Sequence, residues 1–128
     1  MCRGFIWFIF VFSCLSGYAL SQAKSTLQDS VWQLINDGAL VIDVRTQNEY
    51  NKGHLQGALL IPYKQIGDSI ANIAPDTNRV IILYCASGIR SGIAEITLKK
   101  LGYINAINGG GYEGLKKAKS AIDTSVVR

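Results

Sequence analysis

The stretch "RVIILYCASGIRSG", Arg79 to Gly92, decides the architecture. Val80 to Tyr84 is apolar without alternation, the pattern of a strand buried on both faces. It runs into Cys85 and then into small and polar residues, with a helix expected from about Arg90 or Ser91. "ALVIDV", Ala39 to Val44, reads the same way.

Working outward, "STLQDSVWQLINDG" predicts a helix capped by Ser25 or Thr26, with Leu27, Val31, Leu34 and Ile35 at helical spacing and Gly38 as its stop. "TQNEYNKG" predicts a short helix ending at Gly53, "ALLI" (Ala58–Ile61) a brief strand before Pro62, and "YKQIGDSIANI" a helix closed by Pro75. After the central stretch, a helix places Ile93, Ile96, Thr97 and Leu101 on one face and stops at Gly102. "YINAIN" predicts a last strand, "GGG" (Gly109–Gly111) a turn, and "YEGLKKAKSA" a terminal helix. Strands interleaved with helices predict one α/β domain with a central parallel sheet covered by helices on both faces. In such folds ligands bind beyond the carboxyl ends of the strands, where Cys85 falls.

The chain has 128 residues, 48% of them hydrophobic and 17% charged, which suits one globular domain. "MCRGFIWFIFVFSCLSGYALSQA" carries one cation, Arg3, an apolar stretch and the small-x-small end Ser21-Gln22-Ala23, the pattern of a secretory signal peptide over residues 1–23. A retained anchor fits less well, because the apolar stretch falls short of the ~20 residues a spanning helix needs. A lipidation site at Cys14 fits less well because of Phe12. The expectation is an exported domain, residues 24–128, periplasmic or secreted and without stable membrane association.

Cys2 and Cys14 would leave with the signal, so the exported domain keeps Cys85 alone, and a disulfide framework within one chain is excluded. Without Arg3, 12 basic residues face 9 acidic ones, too even a balance to suggest nucleic acid. One His and one remaining Cys make no conventional metal cage.

The loop after Cys85 carries the chemistry. Gly88 permits a tight curl, so backbone N–H groups and the following helix start converge on one point, an anion site that Arg90 reinforces. A thiol at the bottom of that cradle ionises more readily than a free one.

"CASGIRSG" resembles the active-site loop of the rhodanese family of sulfurtransferases. "VIDVRTQNEYNKGHLQGALLIP" is similar to that family's Asp-x-Arg, Glu-Tyr, Gly-His-x-x-Gly-Ala and Ile-Pro signature, and "LKKLGYINAINGGGYEGLKKA" to its closing segment. The resemblance spans about Ser25 to Ala118. It implies a small rhodanese-like domain in which the Cys85 thiolate takes the outer sulfur of thiosulfate, sulfite leaves, and a persulfide awaits cyanide or a thiol. Ala86, Ser87, Gly88, Ile89 and Arg90 would bind the substrate and the terminal sulfur, with no cofactor and no metal.

Related Cys-based phosphatases and arsenate reductases share the fold, but their loop is one residue longer than the Cys85-to-Arg90 ring, which suits phosphate better than a single sulfur. A persulfide carrier is a further alternative, since Ala86 and Ser87 are uncharged where some thiosulfate-using members have a basic residue. A redox-sensing thiol is another. Asp43 and Arg45 read as strand-end ion pairing, Arg45 with Glu49; His54 as satisfying backbone groups in a turn; Trp32 and Tyr84 as core; Tyr112 as pocket rim; and Ser91 as helix cap or substrate contact.

Overall fold

The computed structural model describes residues 26–127. The expected signal at 1–23 and the domain start at Lys24 lie outside them. Among the described residues five helices alternate with four strands: α1 (Leu27–Asn36), β1 (Leu40–Asp43), α2 (Gln47–Asn51), β2 (Leu59–Leu60), α3 (Ile66–Ile73), β3 (Ile81–Cys85), α4 (Ile89–Lys100), β4 (Ala106–Gly111) and α5 (Tyr112–Val126). The strands form one parallel sheet in the order β2-β1-β3-β4. Chain direction across the sheet switches between β1 and β3, and a crevice opens at their carboxyl ends.

The period-2 alternation of a strand divides the interior into two layers. Ile81, Leu83 and Cys85 face one side with Ile42 and Val44, packing against Ile66 and Ile70 of α3 and Ala94 and Leu98 of α4. Ile82 and Tyr84 face the other with Val41, against Val31 and Trp32 of α1 and Leu115 of α5. The Trp32 indole N–H donates to the Leu115 carbonyl at 2.8 Å, tying α1 to α5.

Several local expectations are corrected. The glycine triplet is not a turn but the end of β4, and the last strand begins only at Ala106. Between the Leu83–Asn108 and Tyr84–Gly110 pairs the register slips by one residue, making Gly109 a bulge. A Cβ on Gly109 would meet Ile82 Cγ2 at 2.9 Å, so the ladder continues only because no side chain is there.

In α4 the apolar positions chosen from spacing face outward: Ile93 is 47% and Ile96 58% exposed. The buried stripe is Ser91, Ala94 and Leu98, small residues that bring α4 close to the sheet. The helix also starts earlier, at Ile89, with Gly88 as N-cap at φ +94°. Leu27 of α1 is exposed, while Val31 and Trp32 carry that helix's burial. "ALLI" pairs only through Leu59 and Leu60 at the sheet edge.

Candidate active site

Cys85 is the last residue of β3, and its side chain is fully buried. The chain then turns through exposed Ala86 and Ser87 into Gly88 and the first turn of α4. The left-handed φ of Gly88 is what folds the loop back over the sulfur, a conformation other residues adopt at a penalty. Beneath the loop, a Cβ on Gly111 would stand 2.6 Å from the Ala86 carbonyl oxygen, so β4 needs glycine there for the loop to settle on it.

Hydrogen-bond donors converge on the sulfur. The Gly88 N–H donates to Sγ at 3.0 Å and the Ser91 hydroxyl lies 3.5 Å away, with the Ser87 and Ser91 amides completing the ring. Burial pushes the thiol's pKa up. The Ser91 hydroxyl and the three amides outweigh that and bring it down from 9.0 to about 7, because each donor stabilises the thiolate more than the thiol.

Arg90, expected to offer a fixed charge, is already engaged. Its two terminal nitrogens donate to the two oxygens of Glu49 at 2.8 Å each, a bidentate pair between α4 and α2. Glu49 also closes a capping box at the start of α2, accepting from the Thr46 amide at 3.0 Å and hydroxyl at 2.9 Å. Hydrogen bonds from Arg90 first, then from Thr46, hold the Glu49 carboxyl well below its usual range, and Glu49 holds the Arg90 guanidinium above its own. Arg90 interacts with the Cys85 sulfur as well.

The expected Arg45–Glu49 pair is therefore not formed. Arg45 turns back on Asp43, giving Nη2–Oδ2 at 2.7 Å and Nε–Oδ1 at 2.9 Å, with both residues buried. Its Nη2 also donates to the Gly53 carbonyl, and its guanidinium lies 4.4 Å from the Tyr112 ring centroid. Tyr112 thus covers Arg45 and stacks near Tyr84 at 6.0 Å rather than lining the mouth of the loop. His54 lies with Nδ1 3.0 Å from the Tyr50 carbonyl and its ring stacked on Tyr50 at 3.6 Å, the turn role expected of it. Trp32 and Tyr84 are core.

Ser91 is not the cap of α4, a place Gly88 takes; it is buried beneath the loop. Its neighbour Asn108 escaped the sequence reading. The Asn108 side-chain amide donates to the Gly88 carbonyl at 2.9 Å, and its oxygen accepts from Gly110 N–H at 3.0 Å and from the Ser91 hydroxyl at 2.7 Å. The available signal was its place in β4, the strand beside Cys85.

A cleft of about 310 Å³ adjoins the loop, walled by Val44, Pro62 and Tyr63 and edged by Lys64 and Arg90. A larger hollow of about 550 Å³ lies beside Ser120, Ala121, Thr124 and Ser125 of α5, and none of these four described residues is charged. Among the described residues no three His, Cys, Asp or Glu side chains group to hold a metal ion, and no helix is long and apolar enough to cross a membrane.

A family model for the rhodanese-like domain matches residues 27–118. Thiosulfate sulfurtransferase PspE of Escherichia coli is 38% identical over 78 residues, covering 61% of this chain and 75% of that protein. The protein YqhL of Bacillus subtilis is 34% identical over 113 residues, 88% of this chain and 86% of its own. Among solved structures, a rhodanese with anions from E. coli aligns with a TM-score of 0.57 at 39% identity over 59% of this chain and 88% of that one. The human single-domain sulfurtransferase TSTD1 aligns at 0.59 and 25% identity over 69% and 91%. Match and fold agree across both layers of the sheet and the loop at its centre: the chain belongs to the rhodanese-like domain family.

Proposed function

We propose that the protein is a sulfurtransferase that moves a sulfane sulfur from thiosulfate, or a similar anionic donor, to cyanide or a thiol through a Cys85 persulfide. The observation that carries this reading is the convergence of three backbone amides and one hydroxyl on a single thiol at a strand end. Family membership and a sulfurtransferase among the relatives support sulfur transfer as the general activity.

The thiolate attacks the outer sulfur of thiosulfate. The Cys85 S–S bond forms, the donor's S–S bond breaks, and sulfite leaves with the electron pair. The negative charge now sits on the outer sulfur, where the amides of the Ala86–Arg90 loop favour it, as donors preset for a developing anion do. An acceptor such as cyanide takes that sulfur as thiocyanate and returns the thiolate. No separate base is needed, because the hydrogen bonds to the sulfur let the thiol ionise near neutral pH.

The sulfur is fully buried under the loop, so sulfur transfer requires Ala86 and Ser87 to move aside for a donor to reach it. Small alkylating reagents should therefore modify Cys85 in the folded protein. The direct test is intact mass before and after thiosulfate: a gain of one sulfur atom that cyanide removes, with sulfite release, all abolished in Cys85→Ser. Equal turnover by that variant, or a native thiol inert to alkylation, would overturn the assignment.

A persulfide carrier is the second reading. It is favoured by the engagement of Arg90 with Glu49 and by uncharged Ala86 and Ser87, which leave little free charge beside the sulfur for a dianionic donor. Multiple turnovers with thiosulfate indicate the enzyme; one stoichiometric loading indicates the carrier. The same mass measurement on protein recovered after export tests the proposed cleavage after Ala23 and the periplasmic or secreted location.

A further inference from the structure

The Ser91 hydroxyl is fully buried between two acceptors, 2.7 Å from Asn108 Oδ1 and 3.5 Å from Cys85 Sγ. A hydroxyl has one proton and so serves one acceptor at a time. The Asn108 amide cannot turn to relieve the competition. Its nitrogen is committed to the Gly88 carbonyl and its oxygen to the Gly110 N–H, which presents Oδ1 to Ser91 as an acceptor only.

We propose that Ser91 and Asn108 form a two-position hydroxyl switch beneath the loop: the Ser91 proton rests on Asn108 while the Cys85 sulfur is uncharged and turns to that sulfur when it becomes an anion. The switch rests on the reading of Cys85 as the sulfur carrier. In that cycle Sγ is charged in the free protein and neutral in the persulfide, where the charge has moved to the outer sulfur. The hydroxyl accordingly points at Sγ in the first state and returns to Asn108 in the second, by rotation about the Cβ–Oγ bond with no proton lost. Asn108 Oδ1 keeps the Gly110 N–H throughout, so neither position leaves that acceptor bare.

Asn108 is thus a positioning residue that acts through Ser91. The charged group that interacts with the sulfur is Arg90 of α4, itself clamped by Glu49 of α2. The side chains that share its layer from β1, α3 and α4, namely Val44, Ile66 and Ala94, are apolar, and β4 presents Asn108 and glycines.

The experiment follows alkylation of Cys85 by iodoacetamide against pH in the wild type and in Ser91→Ala, with the ¹⁵N signal of the Asn108 side-chain amide recorded over the same range. Removing a donor to an anion should raise the alkylation midpoint by about one pH unit. The Asn108 signal should titrate with Cys85 in the wild type and lose that titration in Ser91→Ala. Superimposable alkylation profiles, or an Asn108 signal in the wild type that ignores ionisation of the thiol, would overturn the switch; if Ser91→Ala fails to fold, the wild-type signal decides alone. Thiosulfate loading followed by mass is a separate arm. Absent loading with the Ser91 shift intact removes the sulfur-transfer reading and leaves the hydroxyl switch, whereas loading without the shift does the reverse.

Discussion

At Cys85 burial and hydrogen bonding oppose one another, and the outcome sets when the thiol reacts. Its alkylation rate should rise with pH and reach half its plateau at about pH 7, against a free cysteine's higher value. The sign for stability follows from the same depression. An acid ionised more easily in the folded state contributes stability that is present in full above its unfolded value of roughly 8.5 and is lost as pH falls through about 7. The stability gap between the wild type and Cys85→Ala should therefore widen from pH 7 to 9, as read by urea unfolding; a flat gap would show that the amide ring does not favour the thiolate. The sequence placed the thiol at a strand end and the tight loop after it. It could not assign Arg90, since Glu49 lies 41 positions away and only the packing of α2 beside α4 makes them partners.

The elements record where local rules hold and where they yield. Thr26 and Thr46 each open a helix with a capping box, through Asp29 and Glu49, a signal three residues long and readable as such. The glycine triplet departs from the expected turn because Gly109 and Gly111 answer close approach, and Gly110 a left-handed φ of +91° within the strand. Gly111→Ala places a methyl group against the Ala86 carbonyl and should displace the loop that holds the sulfur. Sulfur loading is expected to fall at least tenfold, measured by mass, with the fold retained by circular dichroism. Full activity in that variant would show that the loop does not need β4 beneath it. Helix α4 departs from its apolar spacing for a different reason: several of its largest apolar residues lie on the outer face, and the inner face is chosen by how near the helix must come to β3 and β4.

On the scale of the whole molecule, two apolar layers clasp the sheet, and a charged pair is buried at the end of β1. Asp43 accepts from the Arg45 backbone and guanidinium, and Tyr84 receives the Leu55 N–H on its hydroxyl, which faces Asp43. Burial first of all raises the Tyr84 phenol's pKa, so it stays neutral. Removing one charge from a buried pair leaves the other uncompensated, and Asp43→Asn should cost about 3–5 kcal/mol in urea unfolding. That is a large part of the roughly 5–15 kcal/mol available to a domain. A loss below about 1 kcal/mol would mean that the Gly53 carbonyl and the Tyr112 ring suffice to hold the Arg45 charge.

The order of elements, their parallel pairing and the position of a thiol at a strand end were determined by the sequence alone. Runs of apolar residues, caps and helix stops act over a few positions and are written in consecutive letters. The pairing of Arg90 with Glu49, the return of Arg45 to Asp43, the inward face of α4 and the Ser91–Asn108 contact under the loop were decided only by tertiary structure. Each depends on which surfaces the folded sheet brings within a few ångströms, and residues far apart along the chain carry no local mark of that proximity.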